Sequence, residues 1–156
     1  MIRLLRADFA RLWKSKIFWI GIAFTTGVGM FSSMTQYREM LETPGHHPHI
    51  DNILFSNCIF MPIVAAVFIG LFVGTEYSDG TIRNKFVVGH TRVSIYLSNL
   101  IVCVTALLIM HLMDIAVIIG IGVPLVGNVE KSISSLLILG LISVVTLVAI
   151  SAVFLL

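Results

Sequence analysis

Residues 53–75 read ILFSNCIFMPIVAAVFIGLFVGT, and residues 76–85, which follow directly, read EYSDGTIRNK. The first stretch carries no charged side chain. At about 1.5 Å of helical rise per residue it is long enough to cross a hydrocarbon core of about 30 Å. The second is a polar island, and beyond it Gly89-His90-Thr91-Arg92 leads into another apolar run. A polar segment held between two membrane-length runs is where such a chain can meet a soluble partner.

The rest of the chain repeats the pattern. Apolar segments run from Ile17 to Met34, Leu97 to Val126 and Ile133 to Leu156, beside the one that begins at Ile53. They are continuous rather than alternating, which favours helices over the strands of a closed barrel. The chain has 156 residues, 58% hydrophobic and 12% charged. A soluble domain carries about 25% charged residues, so an ordinary soluble globule is disfavoured. These readings give an all-α integral membrane protein with transmembrane helices at about 17–34, 54–75, 97–123 and 134–156. An N-terminal element, residues 1–16, precedes them, and an inner loop, residues 76–96, joins the second span to the third. The basic start runs past Lys16 without a small-residue cleavage pattern, which argues against a cleaved signal peptide. No acidic or basic tail is present, and no nucleic-acid partner is expected.

Charge placement orients the bundle. Arg3, Arg6, Arg11, Lys14 and Lys16 precede the first span and Arg83, Lys85 and Arg92 lie between the second and third, whereas Arg38 and Lys131 fall in the other two loops. The excess puts the N-terminus and the loop 76–96 in the cytoplasm of a cell whose inner or plasma membrane holds the chain. In residues 2–16, Ile2, Leu5, Phe9, Leu12 and Trp13 recur at helical spacing, with Arg3, Asp8, Arg11 and Lys14 on the other face. That pattern predicts an amphipathic helix along the inner leaflet, with Trp13 and Trp19 at the interface; the plainer alternative is a positive flank that happens to be helical.

Within the inner loop, Asp79-Gly80 predicts a chain reversal, and Ile82 and Phe86 share one face of a short helix. Gly89 ends that helix, and Thr91 is placed to cap the next one. The segment suits docking into a groove on a cytoplasmic protein; the alternative is a basic loop that only fixes topology. In the spans, His111 and Asp114 lie three residues apart on one face of the third. A carboxylate at that depth costs at least about 2.5 kcal/mol, so it faces protein or water. Two roles stay open for the pair, contact with a translocated substrate or proton, and hydrogen-bonded glue between helices.

Other features are less specific. Gly70 and Gly74 form a GxxxG pattern that permits close helix approach. Cys58 and Cys103 sit at depths differing by well over about 10 Å, too far for a disulfide, and are expected as free thiols. His46, His47 and His49 lie near Asp51, but Pro44, Gly45 and Pro48 make an irregular turn and the spacing fits no metal motif, so no metal site is assigned. No cofactor is expected.

The order of these parts supports a resemblance. An N-terminal amphipathic helix, a span, an outward loop and a span ending Gly74-Thr75-Glu76-Tyr77 are followed by Gly80-Thr81-Ile82-Arg83, Gly89-His90-Thr91-Arg92 and Tyr96-Leu97-Ser98. This arrangement resembles the permease subunits of type-2 ATP-binding-cassette transporters, which include bacterial drug, lantibiotic-immunity and ion efflux systems. The resemblance implies that the loop after the second span is a coupling segment that contacts an ATPase subunit through Glu76, Asp79, Gly80, Thr81, Ile82, Arg83, Lys85 and Phe86. It also implies a second permease subunit, the same chain or a homologue, with the path between the two. Such permeases have six spans, so the chain is expected to be a truncated form covering about the first four. The sequence has no GxxxxGK[ST] phosphate loop, and ATP hydrolysis is therefore expected on the partner. No catalytic residue is assigned. The alternative function is a small membrane scaffold without a transport path.

Overall fold

The computed structural model of the chain describes residues 2–42, 50–89, 91–126 and 133–155. The histidines at 46, 47, 49 and 90 and residues 127–132 lie outside the described residues. Helix α1 (Ile2–Lys14) is followed by α2 (Lys16–Glu42), α3 (Ile50–Ser78), the short α4 (Thr81–Val87) and α5 (Arg92–Val117). A π-helical turn, Ile118–Gly122, extends α5 into α6 (Val123–Val126), and α7 covers Ile133–Phe154. Among the described residues three helices are long and apolar enough to cross a membrane: Lys16–Glu42, Asn52–Ser78 and Arg92–Leu125. The apolar α7 packs along α3 and α5.

Helix α5 is the central element, touching α1, α2, α3, α4 and α7. Its inward face carries Val102, Cys103, Ala106, Leu107 and Met110, and these meet Phe18 of α2, Ala65, Phe68, Ile69 and Phe72 of α3, and Leu147 of α7. Small residues set how closely the helices approach. A Cβ built on Gly21 would lie 2.5 Å from the Met110 Cε, and one on Gly29 would lie 2.5 Å from the Asp114 Oδ1. Gly70 and Gly74, by contrast, face open space, so the GxxxG pattern does not pack helices together among the described residues. Both cysteines are free thiols, Cys103 in the core and Cys58 half-buried on α3.

Several boundaries differ from the sequence reading: α3 covers Ile50–Ser78, beyond the expected 54–75 at both ends. The first long helix runs beyond Met34 to Glu42, because Gln36, Arg38 and Glu39 are all compatible with a helix that has left the apolar layer. The third does not remain α-helical to its end but widens into the π turn after Val117.

Helix α1 is separated from α2 at Ser15, whose N–H donates to the Leu12 carbonyl at 3.0 Å. The Trp19 indole N–H donates to the Trp13 carbonyl at 3.0 Å across the same corner, and Trp13 meets Phe18 edge-on. The buried face of α1 differs from the expected one. Leu4, Asp8 and Leu12, spaced four apart, turn inward onto α5, while Trp13 is half exposed. Asp8 therefore does not belong to a solvated polar face, because Lys85 of α4 and Ser98 of α5 await it.

Candidate functional site

The segment between α3 and α5 is shaped by two glycines. Gly80 at φ 65° and Gly89 at φ 91° adopt left-handed conformations that a Cβ would disfavour, and they bracket α4 as hinge points. The Asp79 N–H donates to the Thr75 carbonyl at 2.9 Å, which closes α3, and the Gly89 N–H donates to the Phe86 carbonyl at 2.9 Å, which closes α4. Thr91 then caps α5, its Oγ1 accepting from the Ser94 N–H at 3.3 Å.

Beneath α4 lies a buried cluster of charge. Lys85 is 8% exposed, and its Nζ lies 2.8 Å from Asp8 Oδ1 on α1, 2.7 Å from Glu76 Oε1 at the end of α3, and 3.3 Å from Asn99 Oδ1 on α5. An ammonium has three donors, and here each has an acceptor on a different helix. Glu76, 1% exposed, also pairs with Arg11 Nη1, while its second oxygen accepts from Asn99 Nδ2 at 2.5 Å. The Ser98 hydroxyl donates to Asp8 Oδ2 at 2.7 Å. The Arg11 guanidinium lies 4.5 Å above the Phe72 ring, a favourable cation–π placement. Two carboxylates and two cations thus balance in a site largely closed to water, which is the condition under which buried charges are tolerated.

This geometry divides the loop residues that the resemblance assigned to a partner. Glu76 and Lys85 point into the bundle. Asp79, Arg83 and Phe86 are exposed, and Gly80, Thr81 and Ile82 are partly covered. Next to Phe86, Val87 is 81% exposed and Val88 75%, and Tyr77 stands free at the end of α3. The outer surface of this segment thus sets the apolar side chains of Tyr77, Phe86, Val87 and Val88 beside the exposed Asp79, Arg83 and Asn84. Ile82 and Phe86 also line a cleft of about 400 Å³ with Val73, Ile95 and Tyr96.

A second polar set lies within the spans. His111 and Asp114 do not bond each other. Asp114, 1% exposed, accepts from Asn57 Nδ2 of α3 at 3.3 and 3.2 Å through its two oxygens, and it lies against Gly29 of α2. His111 Nε2 is 2.8 Å from Ser143 Oγ of α7, and its Nδ1 has no partner among the described residues. The pair therefore links α5 to three helices, and both members are buried among the described residues. Immediately after Asp114 the π turn seats Gly122 beside Ser33 of α2.

Sequence reasoning turned Lys85 and Glu76 outward to a partner, whereas both are buried, and it did not single out Asp8, Ser98 or Asn99 as their neighbours. The available signal was periodic: Asp8 sits between Leu4 and Leu12 on one helical stripe, and Ser98-Asn99 interrupt the apolar start of α5.

Residues 4–156 match the model of a family described as ABC-2 family transporter protein. Among curated proteins and solved structures, nothing matches.

Proposed function

The chain belongs to the ABC-2 family of transporter proteins, and from that membership we propose that it is a permease subunit whose α4 receives work from a separate ATPase. The substrate class is a drug, peptide or ion, moved across the membrane by alternating access between this subunit and a second permease chain. In this reading α7 is the fourth span. Eight basic residues precede the first apolar run or lie between the second and third, against two elsewhere, and this asymmetry supports a cytoplasmic α1 and α4.

The observation that carries the proposal is the two-sidedness of α4. Its inner face is fixed by Lys85 to the bundle, and its outer face leaves Arg83, Phe86 and Val87 uncovered. Contiguous apolar side chains exposed outside the spans are unfavourable in water and mark an interaction surface. The partner is the ATP-binding-cassette subunit, with Phe86 and Val87 entering a groove and Arg83 at the rim. Glu76 and Lys85 support that surface from behind. Family membership favours this over the scaffold reading.

Co-expression with the cognate ATPase subunit and affinity capture from detergent-solubilised membranes tests the proposal. Phe86→Asp with Val87→Asp is expected to abolish capture while the permease remains folded, since both side chains point away from the core. Capture at the wild-type level would refute the assigned face.

A further inference from the structure

Helix α4 has seven residues and is bounded by two glycines in left-handed conformations. Isolated helices shorter than about 12 residues are marginal, so its shape and orientation must come from tertiary contacts. The most directional of these is Lys85, bonded at once to α1, α3 and α5. Of the three anchors, α1 is the one that the chain does not otherwise connect to α4. The α3 end precedes it by a two-residue turn, and α5 follows it after four residues, whereas α1 lies about seventy positions upstream.

We propose that Lys85 is a positioning residue that locks α4 to α1 through Asp8, so that the N-terminal helix moves with α4 as one body. The consequence rests on the coupling role given to α4 above. Displacement of α4 by the ATPase is delivered to the bundle at two places, through the covalent chain into α3 and α5, and through Lys85 and Asp8 into α1 and thence to α2. The groove between α1 and α4, lined by Leu4, Ala7, Asp8, Thr81, Asn84 and Val88, marks where the two helices face each other. Asp8 is held for this contact by Ser98, which occupies its other oxygen. Without Lys85 the glycine hinges would let α4 turn independently of α1.

The test uses the full chain in lipid nanodiscs, with spin labels at the exposed positions 10 on α1 and 84 on α4. Pulsed distance measurement on the otherwise wild-type chain is expected to give a single narrow peak. Asp8→Asn and Lys85→Met are each expected to lose that peak to a broad distribution, and the double variant is expected to be no broader than the worse single one. Retention of the narrow peak in Asp8→Asn overturns the proposal, and that variant decides the matter if Lys85→Met does not fold. A second readout separates positioning from mere stability. In the complex with the ATPase, ATP with vanadate is expected to change the label mobility at both positions, whereas in Asp8→Asn the change at position 84 persists and the change at position 10 is lost. An unaltered response at position 10 in that variant also overturns it. Failure of the wild-type chain to capture any ATPase would instead remove the coupling reading, while the distance measurement on the isolated chain still decides the clamp.

Discussion

The two polar regions of this bundle solve the same problem in different ways. At the α4 end, Asp8, Arg11, Glu76 and Lys85 are buried as a balanced set of charges drawn from three helices. In mid-span, Asp114 is met by an amide and a glycine, and His111 by a hydroxyl. The first arrangement depends on Coulombic balance and fails sharply when one member is lost, because an unpaired buried charge remains. The second consists of single interhelical hydrogen bonds, each worth little in a membrane because the separated helices also find partners. On the reading proposed above the two sets would do different work: the charged cluster would fix the orientation of α4, and the mid-span pairs would fasten helix to helix.

Four substitutions probe this difference in descending order of effect. Glu76→Ala removes the shared partner of Arg11 and Lys85 and is expected to cost about 3–5 kcal/mol, read as the loss of resistance to unfolding by titrated denaturing detergent. A cost no larger than that of a mid-span variant would break the comparison. Gly29→Ala forces a methyl group against Asp114, and the rigid α2–α5 contact predicts a loss of about 1–3 kcal/mol in the same assay. Asp114→Asn keeps the shape and leaves an amide facing the Asn57 amide; the expected change is about 0.6–1.7 kcal/mol, and a loss near that of Glu76→Ala would show that Asp114 does more than fasten. Gly74→Ala adds a methyl that meets nothing, and the helix should gain by about 0.4–1 kcal/mol from reduced freedom of the unfolded chain. A marked loss of stability in Gly74→Ala would place another surface against that face.

Much of this was legible in the sequence, and the omissions have a common cause. Apolar length and charge placement located the long helices and the polar island. Gly80, Gly89 and Thr91 marked the ends of α4 and the start of α5, because left-handed turns and N-caps depend on a residue's own chemistry. The direction of Lys85 was not legible in this way. A lysine in a loop reads as solvated, and its burial depends on Asp8 and Asn99 arriving from elements far away in sequence. The same holds for Gly29, whose importance lies in the side chain opposite it, while a side chain at the conspicuous Gly70 or Gly74 would meet nothing among the described residues. The π turn after Val117 likewise had no local marker beyond Gly120 and Gly122.

The central claim, that α4 is clamped on one side and open to the ATPase on the other, is tested most directly by thiol accessibility. In a chain with Cys58→Ser and Cys103→Ala, single cysteines at 86 and 87 on α4 and at 95, the buried α5 position behind Phe86, are treated with a membrane-impermeant maleimide in inside-out vesicles, with and without the ATPase subunit. Positions 86 and 87 are expected to react readily in the permease alone and to be protected when the ATPase is present, while position 95 reacts slowly in both because the clamped α4 keeps it covered. Equal labelling of 86 and 87 with and without the ATPase, or rapid labelling at 95, would contradict the account.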